Sequence, residues 1–156
     1  MDKEQRKVIE GAFCSVLEKM AFMFAEPMHP PYEAPDTADA YMRVSMRFGG
    51  VLRGDMDLAL PETICAEIAA NMVGRADDAA DASTQTVDAV KEVLNVTCGQ
   101  VLTDLAGDRP MFELSIPTAE PMADDDVAKL LQDDESLAFT FDGRLGILRV
   151  RMGESG

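Results

Sequence analysis

Two carboxylates, a carboxamide and a glycine recur at helical spacing within one short stretch of this chain. Asp88, Glu92, Asn95 and Gly99 are separated by four, three and four residues, so at about 100° per residue they share a narrow stripe of one helix. Asn and Gly each cost a helix interior up to roughly 1 kcal/mol relative to Ala. A carboxamide holds water through both a donor and an acceptor, and a carboxylate pairs with cations. The stripe therefore predicts positioning or docking chemistry rather than packing.

The helix that carries this stripe also has an apolar face. Apolar residues recur there at three- and four-residue intervals and predict a buried surface. They are Val87, Val90, Leu94, Cys98, Val101, Leu102 and Leu105. Ser83 or Thr84 is expected to cap the start of the helix, and Gly107 to end it. Because the stripe falls on the opposite side, we expect its side chains to point away from the core.

The rest of the chain alternates helices with pairs of strands. A first helix is predicted from Lys3 to Phe24, followed by a proline-rich loop at 27–35. Its inner face consists of Val8, Ile9, Ala12, Phe13, Val16, Leu17, Met20 and Phe24. Strands are predicted at 41–48, 51–60, 111–116, 137–142 and 145–152, and further helices at 62–73 and 124–131. Hairpin turns are expected at Gly49-Gly50 and Asp142-Gly143. Gly74 should end the second helix, and 75–82 form an acidic connection.

This order of elements predicts an α+β fold. Duplicated helix–hairpin units would pack long helices on an antiparallel or mixed sheet. With 156 residues, we expect one domain spanning 1–156 and large enough to bury a core.

Composition narrows the possible partners. The chain has 14 Lys and Arg against 29 Asp and Glu, a formal net charge of −15. Nucleic acid and anionic membranes require a basic surface, so neither is expected as a partner. There is no run of about 18 apolar residues to span a membrane and no apolar stretch behind Met1 to act as a signal, so we expect a cytoplasmic protein. Cys14, Cys65 and Cys98 lie in apolar patterns and are interpreted as buried thiols.

The stripe belongs to a longer motif. An Asp, three residues, a Glu, two residues and an Asn are followed some twenty residues later by a Pro: Asp88, Glu92, Asn95 and Pro117. With this motif, a Gly four residues after the Asn and the order of elements, the chain resembles the CheC/CheX family of chemotaxis phosphatases. CheC carries the motif twice and CheX once. The first helix has Ser15 and Glu18 at the comparable place and lacks the motif, so the resemblance is to the CheX branch.

The resemblance implies an activity and a division of roles. The substrate would be the aspartyl phosphate of a phosphorylated CheY-like response regulator, which carries its own Mg²⁺, so no cofactor of this chain is expected. Asn95 would position the attacking water, and Glu92 would pair with a lysine beside the phosphorylation site. Gly99 would keep bulk away from the partner, and Asp88 would act at the rim. A homodimer is also implied. The last strand, 145–152, is apolar enough to need covering, so we expect edge pairing of this strand as the interface.

Simpler interpretations stay open for each residue. Glu92 could be an ordinary solvated acid near Lys91 and Arg109. Asn95 could face solvent without a role, and Gly99 could allow close helix packing. The function could also be non-catalytic, with the domain acting as a receiver-binding or flagellar-switch-like module.

A self-contained enzyme is not expected. The sequence has no His cluster, no CxxC, no Gly-rich phosphate loop and no nucleophile elbow, and its one histidine, His29, lies between prolines. Asp55 and Asp57 could be metal ligands, but the solvated face of a hairpin is the simpler interpretation. The acidic runs at 124–126 and 133–135 are interpreted as helix-end and loop charge.

Overall fold

The computed structural model describes residues 1–33, 39–73 and 79–154. The helices are α1 (Lys3–Ala21), α2 (Glu62–Val73), α3 (Ala79–Ala106) and α4 (Asp124–Leu131). The strands are β1 (Glu26–Pro27), β2 (Tyr41–Gly49), β3 (Leu52–Pro61), β4 (Glu113–Leu114), β5 (Thr118–Met122), β6 (Ser136–Phe141) and β7 (Arg144–Glu154). In this part of the chain no helix is long and apolar enough to cross a membrane. The predicted stop at Gly74, the end of the proline-rich loop and the first half of the 75–82 connection lie outside the described residues.

One antiparallel sheet forms the centre of the fold. The strand order is β1-β6-β7-β3-β2-β4, and β5 pairs with β2 next to β4. The β2–β3 and β6–β7 hairpins are confirmed. Asp142 and Gly143 both have positive φ, 51° and 81°, as a type I′ turn requires. The predicted α+β class, with helices packed on an antiparallel sheet, is therefore confirmed.

The last strand lies inside the sheet rather than at its edge. β7 pairs with β6 on one side and with β3 on the other, so the predicted edge pairing of 145–152 in a dimer is wrong. The apolar character of the strand has an internal cause. Leu148 and Val150 belong to the core beneath α1, α2 and α3, and Ile147 belongs to a second cluster beneath α4.

Three helices cover one face of the sheet and bury the main core. Its largest fully buried side chains come from all three helices and from the central strands: Ile9, Phe13, Leu17, Met56, Leu58, Leu60, Ile64, Ile68, Leu94, Leu102, Phe139 and Phe141. Phe13 of α1 meets Phe139 edge-on, with 4.7 Å between ring centroids. Each such side chain contributes about 1.5–3 kcal/mol by burial, so α3 is held firmly against the sheet.

The opposite face of the sheet is apolar in one half and charged in the other. α4 covers the apolar half. In the charged half, Asp57 is only 3% exposed. Its carboxylate accepts hydrogen bonds from Ser45 Oγ at 2.6 Å, Arg43 Nε at 3.1 Å and Arg149 Nη2 at 2.6 Å. The interpretation of Asp57 as part of a solvated face is therefore wrong, because three neighbouring side chains replace its water.

Two helix boundaries differ from the sequence prediction. α1 ends at Ala21, not Phe24, because Phe22 adopts a left-handed conformation (φ 53°) and donates its N–H back to Glu18 and Leu17 carbonyls. The ring of Phe24 is consequently 72% exposed instead of buried. α3 already includes Ala79, so neither Ser83 nor Thr84 is its cap.

The edge strands were the least predictable elements. Of the strand predicted at 111–116, only Glu113–Leu114 forms a ladder with β2. β1 and β5 were not predicted. β5 contains Pro121 and pairs with β2 alone among the described strands, which is the edge position where proline is tolerated.

Candidate functional site

α3 presents the predicted stripe on the surface of the helical layer. Five of the seven residues predicted for its apolar face are buried and two are half-buried: Val90, Leu94, Cys98, Val101 and Leu102, then Val87 and Leu105. The apolar face therefore fixes the rotation of the helix about its axis, and the stripe turns outward as a consequence.

Exposure falls along the stripe from its N-terminal to its C-terminal end. Asp88 and Glu92 are exposed, whereas Asn95 and Gly99 are half-exposed. Among the described residues, no hydrogen bond or ion pair engages the side chains of Asp88, Glu92 or Asn95. All three polar groups are therefore available to an external partner. Exposure of Glu92 without a partner among the described residues is also what an ordinary solvated acid would show, so that alternative stays open.

Gly99 has no packing function within the described chain. A Cβ atom built on it would meet no other atom within 4 Å. The alternative of close helix packing at Gly99 is therefore wrong. The helix has open space where it lacks a side chain, next to the half-exposed Asn95.

The stripe can position a reactant through Asn95 and bind a cation through Glu92. Asn95 offers one amide oxygen and two N–H donors and does not titrate. Glu92, three residues earlier on the same face, supplies a negative charge for a cation. Pro117, the last residue of the motif, lies between β4 and β5 and is half-exposed.

Metal binding and thiolate chemistry have no support in the described part of the chain. It has no group of three or more His, Cys, Asp or Glu side chains arranged to hold a metal ion, so the metal interpretation of Asp55 and Asp57 is not supported. Burial raises the pKa of the Cys65 and Cys98 thiols to about 12. Neither is a thiolate nucleophile at neutral pH.

A groove lies between α1 and α3 and was not predicted from the sequence. It has a volume of about 430 Å³ and is lined by Lys7, Val8, Gly11, Ala12, Ser15, Lys19, Gln100 and Asp104. The four-residue spacing of Lys7, Gly11, Ser15 and Lys19 was the available signal, because residues four apart share a helix face.

Comparison with known families shows to which family the chain belongs. The family model described as chemotaxis phosphatase CheX matches residues 42–142, a segment that contains the whole α3 stripe. The chain belongs to the CheX family. No protein in a search of curated sequences matches it.

Solved structures share the fold of this CheX-family chain at low sequence identity. CheX from Desulfovibrio desulfuricans is 19% identical, with 96% of this chain and 99% of that chain covered and a TM-score of 0.71. A chain of the CheX–CheY–BeF3–Mg²⁺ complex from Borrelia burgdorferi is 16% identical, with 95% and 97% covered and a TM-score of 0.69. Thermotoga maritima FliY is 17% identical, with 96% and 90% covered and a TM-score of 0.57. These likenesses establish the architecture.

Proposed function

We propose that this protein hydrolyses the aspartyl phosphate of a phosphorylated CheY-like response regulator. The observation that carries the proposal is the unpaired Glu92–Asn95 pair, displayed on the outer face of α3 in a chain of the CheX family. The Borrelia burgdorferi relative was solved as a complex of CheX with CheY, BeF3 and Mg²⁺, which supports a receiver domain as the partner.

Asn95 has the chemistry to position the attacking water. Its amide accepts a hydrogen bond from the water and donates one to a phosphoryl oxygen. The water oxygen forms the new bond to phosphorus, the bond to the aspartyl oxygen breaks, and the water proton leaves with inorganic phosphate. An acyl phosphate is already activated, so alignment is the main task. In this proposal Mg²⁺ is bound by the receiver, and this chain contributes no cofactor.

Glu92 sets the register of docking. Its carboxylate is exposed and unpaired in the described structure, and it pairs with a lysine beside the receiver's phosphorylated aspartate. Gly99 lets the receiver approach the helix backbone closely, since nothing in this chain fills the space at its Cβ. Asp88, exposed at the rim, adds attraction to the same lysine.

The test compares phosphate release by wild-type protein with release by Glu92→Ala and Asn95→Ala. A CheY-like receiver is phosphorylated with acetyl phosphate, and loss of the phosphoryl group is followed over time. We expect Asn95→Ala to lower kcat by about a hundredfold, as loss of reactant alignment does, and Glu92→Ala chiefly to raise KM. Melting temperatures should stay unchanged or rise, because neither side chain is bonded within the described chain.

Gln132→Ala is the matched control. Gln132 is an exposed carboxamide that follows α4, on the other face of the sheet, and its loss should leave kinetics unchanged. Normal dephosphorylation by an E92A/N95A double variant would contradict the assigned roles. Tight binding of the phosphorylated receiver without acceleration by the wild-type protein would instead establish the non-catalytic binding module.

We further propose that the protein is a homodimer, as the resemblance to CheX implies. Because β7 is flanked on both sides, the contact must involve other surfaces. Sedimentation velocity at micromolar concentration tests this, and a monomer at all concentrations would contradict it.

A further inference from the structure

A single ridge of α3 connects the Glu92 site to the groove beside α1. Asp88, Glu92, Val96, Gln100 and Asp104 follow at four-residue intervals, and rows of this spacing form continuous ridges that rotate slowly about a helix. Its first two members are site residues, and its last two line the groove. Val96, in the middle, is an apolar residue 36% exposed to solvent. Site and groove are therefore parts of one surface.

On the α1 side of this groove, four of the lining residues also follow at four-residue intervals, but they include two lysines instead of acidic residues. This α1 ridge is Lys7, Gly11, Ser15 and Lys19, all lining the groove. Both lysines are exposed, and within the described structure neither forms a salt bridge. Across the groove, Asp104 already accepts a hydrogen bond from Gln100 Nε2 at 2.8 Å. Two uncommitted cations therefore flank the groove in a protein whose formal net charge is −15.

Gly11 gives a second, independent indication that this surface is approached from outside. A Cβ atom at Gly11 would meet no atom within 4 Å, as at Gly99. Each helix thus has a glycine in its interior, where Ala would be more favourable by about 1 kcal/mol, and internal packing requires neither. Both glycines leave open space on neighbouring helices of the same layer.

We propose that the phosphorylated receiver docks across both helices, with the α1 ridge of Lys7, Gly11, Ser15 and Lys19 as the second half of its docking surface. This inference rests on the proposed function. The phosphorylated end of the receiver carries a net negative charge, because the phosphoryl group and the carboxylates that hold Mg²⁺ together outweigh the charges of Mg²⁺ and the neighbouring lysine. Lys7 and Lys19 attract this end, while Glu92 and Asn95 engage the reacting group.

The experiment reverses these charges one at a time and together. Lys7→Glu, Lys19→Glu and the double variant are compared with Lys129→Glu, which makes the same change on α4, across the sheet. The receiver is one that the wild-type protein dephosphorylates, phosphorylated with acetyl phosphate and Mg²⁺. Initial rates are measured against receiver concentration at low and high NaCl, and receiver affinity is measured in parallel by fluorescence anisotropy.

The double variant should raise KM on the order of tenfold at low salt with kcat unchanged, and the difference should shrink at high salt, as expected for electrostatic steering. Gly11→Ala should raise KM without changing the salt dependence. Equal KM and affinity for K7E/K19E and K129E would overturn the two-helix surface while leaving the phosphatase proposal intact. A wild-type protein inactive on every receiver would contradict the phosphatase proposal itself.

Discussion

At Gly99, helix stability and the proposed docking role favour different residues. It lies inside α3, where its missing side chain leaves open space rather than a close contact. Gly99→Ala should therefore stabilise the folded protein by up to about 1 kcal/mol through helix propensity. It should also raise KM for the phosphorylated receiver, because the new methyl group occupies the docking surface. Urea unfolding measures the change in stability, and phosphate-release kinetics measure the change in KM. A variant that gains stability with unchanged KM would remove Gly99 from the interface.

The structural role of Asp57 was the least predictable from the sequence. Burial alone would raise the pKa of its carboxyl, but hydrogen bonds from Ser45 and Arg149, with the charges of Arg149 and Arg43, outweigh this and lower it. Because the folded-state pKa lies below the unfolded one, the carboxylate stabilises the fold above about pH 4 and loses this contribution as pH falls further. Alternation along a strand cannot reveal it, since the partners come from neighbouring strands.

Removing Asp57 tests that ion-pair cluster. Asp57→Ala should lower the free energy of unfolding by about 3 kcal/mol, because it leaves two arginines without their shared carboxylate. Arg149 would still form its salt bridge with Asp133, at 3.1 Å. Between about pH 5 and pH 3, the melting temperature of this variant should also fall less than that of the wild-type protein. Asp55→Ala is the control, since Asp55 forms no salt bridge within the described residues. Equal effects of the two substitutions would show that the cluster contributes little.

At the scale of elements, the sequence was informative wherever burial repeated with a regular period. The apolar periodicity of α3 predicted both its buried face and the outward stripe, and α2 and α4 have the predicted bounds. Strand order was not predictable in this way. The apolar run at 145–152 has the same composition whether it lies at an exposed edge or in the middle of a sheet, and only the pairing of β7 with β3 distinguishes these positions.

The central position of β7 has a measurable result. Hydrogen bonds on both sides of β7 should make its backbone amides exchange only through global unfolding. β5, which pairs only with β2 among the described strands, should exchange far faster. Hydrogen exchange followed by mass spectrometry compares peptides that cover 145–150 and 118–122. Exchange at 145–150 as fast as at 118–122 would mean that β7 is an edge in solution.

At the scale of the whole molecule, the dominant feature is a net charge of −15. Self-repulsion of this size destabilises a compact chain and is screened by salt. Raising NaCl from about 10 mM to 300 mM should therefore increase the melting temperature by a few degrees, as followed by circular dichroism at pH 7.5. A decrease would mean that screening mainly weakens attractive pairs such as Arg149 with Asp57.

The open space at Gly11 and Gly99 affects which variants a selection for thermal stability would favour. Replacing either glycine by alanine improves the helix, and so does Asn95→Ala, at the residue proposed to position the attacking water. If the proposed docking surface is correct, a laboratory screen that rewards heat resistance alone would enrich variants that have lost it. A screen for a more heat-resistant form of this protein should therefore measure phosphate release as well as thermal stability, with Gly11, Gly99 and Asn95 left unchanged.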